Sequence, residues 1–392
     1  MKILFITPRF PYPPLKGDKA VPYHRLRILD HRHEITLLSL YEKDEELAGV
    51  KQLRQYCQAI HTIRLPKWRS IMNLALMTLF SSLPLQVLYY RSSPFQKKLD
   101  ALLAENSFDL INVFMLRVAP YLSDLSTPKV LDLIDSMQLN FQRRAAMEHI
   151  PKRWLFKEEL RRVISYERNI WMSFDHVIVV SEKDKTFIPG DNVKAISLGV
   201  DTDLFTPRIT LEHKSVIVFS GNMGYAPNIH AIKWFVEHCL PDIKAAMPEV
   251  SLLISGGNPP KEVCNLGRKP EITVTGFVES MPDVLRQASV AIAPMQSGSG
   301  MQFKILEAMS CGLSVVTTTL GLGDIKARPG DEICVADTAE EFADTVVTLL
   351  KTPKMAERIG RNARAFVVNQ HGWEHAAYQV EAIYDSIIDK RR

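Results

Sequence analysis

Two successive series of alternating strand and helix signals constrain this chain more than any other feature. In the first half, short apolar runs fall at Lys2–Thr7, Glu34–Leu40, Ile60–Leu65, Leu110–Phe114, Lys129–Ile134 and His176–Val180. Helical stretches fill Ala20–His31, Asp44–Cys57, Pro94–Glu105 and Glu158–Phe174. In the second half the strand signals are Ser215–Ser220, Ser251–Ser255, Ile272–Thr275, Val290–Ala293, Ser314–Thr317 and Glu332–Val335. Helices begin there near Asn228, Met281, Gln302, Thr338 and Pro353. Strand, helix, strand in succession is a right-handed crossover unit, and a run of such units builds a parallel sheet wound on both faces. The pattern breaks near Leu198–Arg208, at Gly199, Pro207 and the polar run Asp201-Thr202-Asp203. The expected class is α/β with two doubly wound, Rossmann-like domains, over 1–198 and 209–372.

Composition narrows the function. The 392 residues are 46% hydrophobic and 23% charged, ordinary values for a globular protein. The five cysteines, Cys57, Cys239, Cys264, Cys311 and Cys334, form no C-x-x-C pair, and the histidines do not cluster. That argues against a zinc site or disulfide framework and for a reducing compartment. Met1-Lys2 leads at once into a short strand-like run, without the apolar core of a secretory signal, so the expected location is cytoplasmic. Ile71–Tyr90 carries no charge, but Ser81-Ser82 and Pro84 divide it into an apolar helix of about ten residues and a second short element, whereas a span needs ~20 apolar residues. A buried helix is the favoured reading. The rival is a helix dipping into a membrane surface, with Lys67, Trp68 and Arg69 at its edge.

Charge is uneven, +8 over residues 1–200 and −4 over 201–392. Basic residues crowd Arg143–Arg168. Such a run is ordinarily a solvated helix face; its other reading is a contact with anionic lipid at the inner face of a membrane or with a lipid-diphosphate acceptor. No aromatic interleaving supports nucleic acid as a partner.

Residues 289–316 hold the densest functional signal. The strand Ser289–Pro294 ends in a loop with Gly298 and Gly300 and runs into a helix, Gln302–Ser310, which Gly312 stops. A glycine loop after a strand offers free backbone N–H groups to an anion, and the helix dipole adds positive charge there. Lys304 and Glu307, three residues apart, share one helix face. A cation for phosphate beside a carboxylate for sugar hydroxyls suits a nucleotide-sugar site.

This stretch resembles the donor-binding signature of the retaining glycosyltransferases of family 4, which have the GT-B fold. In that family the glutamate of the segment matched here by Glu307-Ala308-Met309-Ser310-Cys311-Gly312 binds the nucleotide's ribose. Further landmarks follow the family's order. Asp175–Ser181 resembles its last first-domain strand, Leu198–Phe205 its interdomain segment, and Ser220-Gly221-Asn222-Met223-Gly224 its second-domain phosphate loop. Thr275-Gly276-Phe277-Val278 resembles the loop that meets the base. The resemblance implies two domains facing a central cleft, with a final helix over 373–392 crossing back to the first. It also implies donor contacts from Gly17, Gly221, Asn222, Phe277, Val278, Gly298, Ser299, Gly300, Met301 and Gln302.

Three positions depart from the family pattern. Ser299 stands where a second acidic residue is usual, and Asn222 and Pro227 replace an arginine and a lysine of the phosphate loop. Lys304 is then the main second-domain cation for the diphosphate, with Arg9, Lys16 and Lys19 as first-domain contributors. The family's first-domain histidine has no counterpart after Pro128–Ile134, and Asp135 is the candidate for its role; its other reading is a helix N-cap. The expected activity is metal-free transfer of a sugar, with retention, from a nucleoside diphosphate sugar (UDP or GDP) to a glycan, lipid-linked or glycoside hydroxyl. Asp135, Lys304 and Glu307 are the catalytic candidates. A sugar-nucleotide 2-epimerase of the same fold and a catalytically weak nucleotide-sugar-binding scaffold are the alternatives.

Overall fold

The computed structural model describes residues 1–14, 17–122, 125–134, 136–138, 141–142, 152–208, 215–297 and 301–391, with the side chains of 152 and 153 excepted. The chain divides into two compact units, Met1–Leu198 with Ala376–Arg392, and Gly199–His375.

The first unit is built on seven parallel strands: β1 (Lys2–Thr7), β2 (Glu34–Tyr41), β3 (Ala59–Arg64), β4 (Leu110–Phe114), β5 (Lys129–Asp132), β6 (His176–Val179) and β7 (Val193–Ala195). Their order is β3-β2-β1-β4-β5-β6-β7. Ile3, Leu4, Phe5 and Ile6 are all fully buried, as in a strand covered by helices on both faces. Ile3 sits opposite Ile35 on one side and Leu110 on the other. The helix Gly17–Leu29 follows β1, Ser93–Glu105 precedes β4, and Lys152–Ile170 precedes β6. The last helix, Trp373–Asp389, gives its C-terminal part to this unit. Tyr384 Oη donates to Asn112 Oδ1 at 2.8 Å, and His33 Nε2 lies 2.8 Å from Glu381.

The second unit has six parallel strands: β8 (Val216–Ser220), β9 (Ser251–Ser255), β10 (Ile272–Gly276), β11 (Val290–Ala293), β12 (Ser314–Thr317) and β13 (Cys334–Val335), in the order β10-β9-β8-β11-β12-β13. In both sheets the order reverses once, between β1 and β4 and between β8 and β11. Ligands in open parallel sheets bind at the carboxyl ends of the strands flanking such a reversal.

Two expectations are corrected, and two further features emerge. Asp44–Cys57 is a 3₁₀ turn, Asp44–Gly49, and one helical turn, Val50–Leu53. β7 had no sequence signal, because Val193-Lys194-Ala195 is too short to show a period. The interdomain segment belongs to the second unit: Phe205 is buried there, and its carbonyl accepts from Ser310 Oγ at 2.7 Å and Arg364 Nη1 at 3.0 Å. Finally, the uncharged segment is not a buried helix. Its helix runs Lys67–Met77, and Ile71, Leu76, Leu79 and Phe80 are 61%, 64%, 84% and 89% exposed. The inward positions are instead taken by Ser70, which is buried, and Asn73, which donates to the Arg91 carbonyl at 2.8 Å.

Candidate active site

At the reversal point of the second sheet, β8 ends in Ser220-Gly221, and the chain turns through Asn222–Tyr225 into the helix Ala226–His238. Gly221 has φ +146°, and a Cβ there would lie 2.9 Å from Asn228 Nδ2 and 3.1 Å from Lys304 Cε. The neighbouring loop after β9 presses from the other side: a Cβ on Gly256, at φ +147°, would meet the Gly221 carbonyl oxygen at 1.7 Å. Only residues without a side chain allow these backbones to touch. Gly221 N–H donates to Ser255 O at 3.0 Å, and Met223 N–H to Gly257 O at 2.9 Å. Asn222 is spent on its own turn, accepting from Gly224 N–H at 3.0 Å.

β11 supplies the other wall. Its following helix is Phe303–Ser310, with half-buried Met301 before it and buried Gln302 at its N-cap. Gly298, Ser299 and Gly300 lie outside the described residues. Lys304 crosses toward β8. Its Nζ donates to Asn228 Oδ1 at 2.9 Å and Gln302 Oε1 at 2.8 Å, and lies 5.9 Å from the centre of the Phe219 ring. Burial pushes the Lys304 ammonium down to about 8, with Glu307 acting against that shift. Burial likewise pushes the Glu307 carboxyl up to about 7, with Lys304 opposing. A desolvated cation and carboxylate at a strand reversal could together bind a ligand bearing both negative charge and hydroxyls. Phe277 follows β10 and is 75% exposed, so its ring is open to stacking, while Val278 packs on the core.

In the first unit Gly17 opens the helix after β1, and a Cβ there would meet nothing within 4 Å. Asp135 and Lys16 lie outside the described residues. Arg9 and Lys19 do not stand ready as spare cations. Arg9 Nη1 pairs with Asp18 at 2.9 Å and Lys19 Nζ with Glu46 at 2.7 Å, so local carboxylates already offset both charges. The two cations share a cavity of about 300 Å³ at the carboxyl ends of β1 and β2, with Glu42, Lys67, Tyr89 and Tyr90.

Residues 214–352 match the family model described as Glycosyl transferases group 1. Over those residues the chain is similar to that family, and its two parallel-sheet units have the GT-B fold. A protein of Klebsiella pneumoniae described as an uncharacterized 44.6 kDa protein in cps region is 23% identical over 93% of this chain and 95% of its own. The MMP alpha-(1->4)-mannosyltransferase of Mycolicibacterium hassiacum is 24% identical over 65% of this chain and 66% of its own. Anabaena HepE, solved in complex with UDP and glucose, superposes with a TM-score of 0.65 at 16% identity, covering 98% of this chain and 100% of that one.

Within the second unit the fold brings together Gly221, Gln302, Lys304 and Glu307. Asn222 contributes backbone to the same loop. Gly17 belongs to the first unit. Sequence reasoning passed over Asn228, which holds the lysine, and Gly256, which lets the two loops meet. The pair Gly256-Gly257 directly after a strand was the available signal for the second.

Proposed function

We propose that this protein transfers a hexosyl group, with retention of anomeric configuration, from a UDP- or GDP-sugar to a hydroxyl of a glycan or lipid-linked acceptor. Lys304 carries the reading: a desolvated ammonium held by Asn228 and Gln302 at the reversal point of the domain's sheet. In this scheme the diphosphate lies across Gly221 and the amino end of the helix Phe303–Ser310. The bond between the anomeric carbon and the phosphate oxygen breaks, and its electron pair leaves with the diphosphate. Lys304 and backbone N–H groups take up the charge that develops, with no metal called for. The acceptor oxygen bonds to the anomeric carbon on the face the leaving group vacates, and its proton passes to the departing phosphate oxygen. Glu307 accepts from the ribose hydroxyls, and Phe277 and Val278 flank the base.

The complexes of HepE with UDP-glucose and with UDP and glucose support a nucleotide-sugar donor. A lipid-linked acceptor would place the reaction at a membrane face. The test offers UDP-glucose, UDP-N-acetylglucosamine and GDP-mannose with simple glycoside acceptors and follows the product by NMR. An α-linked product from an α-linked donor supports the reading. Inverted product refutes retention, and a 2-epimerised nucleotide sugar without transfer refutes the transferase reading.

A further inference from the structure

The helix Lys67–Met77 and the turn after it present an apolar stripe to solvent. Trp68, Ile71, Met72, Ala75, Leu76, Leu79 and Phe80 are all exposed. Their spacing of three and four residues is one face of a helix. A surface helix ordinarily turns such a face inward, and here the polar side does so. Ser70 is buried, and Asn73 is bonded to the Arg91 carbonyl. The far end is pinned from the long helix Lys152–Ile170. Arg162 donates to the carbonyls of Ser81 at 2.8 Å, Thr78 at 3.1 Å and Leu83 at 3.2 Å, while Glu159 accepts from Leu85 N–H at 2.8 Å. The stripe is therefore held outward by bonds on its inner side.

The stretch of sequence that carries the stripe has charge of one sign. Between Glu46 and Asp100 the chain contains no acidic residue and eight basic ones: Lys51, Arg54, Arg64, Lys67, Arg69, Arg91, Lys97 and Lys98. Two of these reach back to acids outside the segment, Lys67 to Glu42 at 3.1 Å and Arg64 to Asp44 at 3.4 Å. No helix of the described residues is long and apolar enough to cross a membrane. An outward apolar stripe in a purely basic segment fits an interfacial helix lying in the head-group region of an anionic bilayer.

We infer that Trp68–Phe80 is a monotopic membrane anchor that docks the first unit on an anionic lipid surface. Lys67, which opens the stripe helix, also lines the cavity with Arg9, Tyr89 and Tyr90. Docking through the stripe brings the rim of that cavity to the bilayer, where a lipid-linked hydroxyl would be presented. The surface is separate from the donor site, so its failure leaves the donor reading standing, and the reverse.

The test is co-sedimentation of the full chain with phosphatidylcholine vesicles, with and without phosphatidylglycerol. The Leu79→Ser/Phe80→Ser double variant removes two side chains that are 84% and 89% exposed, so folding is expected to persist, and nucleotide binding by calorimetry serves as the control. The wild type is expected to sediment with anionic vesicles at low ionic strength and to release progressively toward about 1 M salt, where the screening length is ~3 Å. The double variant is expected to partition at least about tenfold less at every salt concentration, because it loses most of two buried apolar side chains. Lack of binding to anionic vesicles at low salt overturns the inference. Unchanged binding by the double variant overturns the assignment to this stripe. Failure to bind vesicles, together with a concentration-dependent dimer that the same variant abolishes, assigns the face to a second copy of the chain instead.

Discussion

Replacing Lys304 with methionine separates a lysine kept for a ligand from one kept for the fold. The ammonium is pushed from 10.5 down to about 8 by burial, and at 1.36 kcal/mol per pKa unit the charged form carries a cost of roughly 3 kcal/mol at neutral pH. That is an upper figure, because the side chain keeps some access to water. Against it stand two hydrogen bonds from the ammonium, to Asn228 Oδ1 and Gln302 Oε1, each worth roughly 1.5–3 kcal/mol as bonds to a charged group. The two terms are similar in size and opposite in sign, and methionine fills much of the same volume. Unfolding stability, measured by urea titration, is therefore expected to change by less than about 2 kcal/mol. Catalysis has no such offset. The loss of one preorganised group from the leaving diphosphate is expected to lower turnover by at least about 100-fold, read as nucleotide release with the preferred donor. Near-normal turnover would refute the assignment. A destabilisation above about 4 kcal/mol would make Lys304 a structural residue whose activity effect is secondary.

Three further outcomes follow from the same geometry. Glu307→Ala should weaken nucleotide binding by roughly 1.5–3 kcal/mol in calorimetry, as one charged acceptor is lost, with thermal stability unchanged or raised because a desolvated carboxyl is removed; equal affinity in variant and wild type would take Glu307 out of the site. Nucleotide affinity should fall above pH about 8, because the lowered Lys304 ammonium loses its proton there and the diphosphate loses its cation, and should fall below pH about 7 as Glu307 takes up a proton and ceases to be a full acceptor; a flat affinity from pH 6 to 9 would contradict both roles. Gly256→Ala should lower the melting temperature and nucleotide affinity together, since its Cβ would sit 1.7 Å from the Gly221 carbonyl oxygen and force the two loops apart; an unchanged melting temperature would contradict the close backbone approach.

The two sheets were legible because most of the strands are apolar runs buried on both faces, and helical stretches separate them in fixed alternation. Lys304 and Glu307 were legible for a local reason, three residues apart on a helix that follows a glycine loop. What sequence could not convey was contact across the chain. Asn228 lies 76 residues before Lys304, and nothing near it marks it as the group that receives the ammonium. Arg9 and Lys19 read as available cations because their carboxylate partners, Asp18 and Glu46, acquire meaning only once folded. The stripe at Trp68–Phe80 was misread for a different reason. Lack of charge points to burial, yet hydrophobicity does not say which side of a helix is covered, and here the covered side carries Ser70 and Asn73.

The most direct test of the proposed donor site is a thermal-shift panel of UDP-, GDP-, ADP- and dTDP-sugars on the wild type and on Lys304→Met. A ligand that binds only the folded state raises its stability in proportion to the logarithm of ligand concentration over dissociation constant. The site described here predicts that sugars of one base raise the wild-type melting temperature well above the others, and that Lys304→Met loses most of that rise while melting near the wild-type temperature without ligand. No response to any nucleotide sugar, or the same response in the variant, would contradict a donor site built on Lys304.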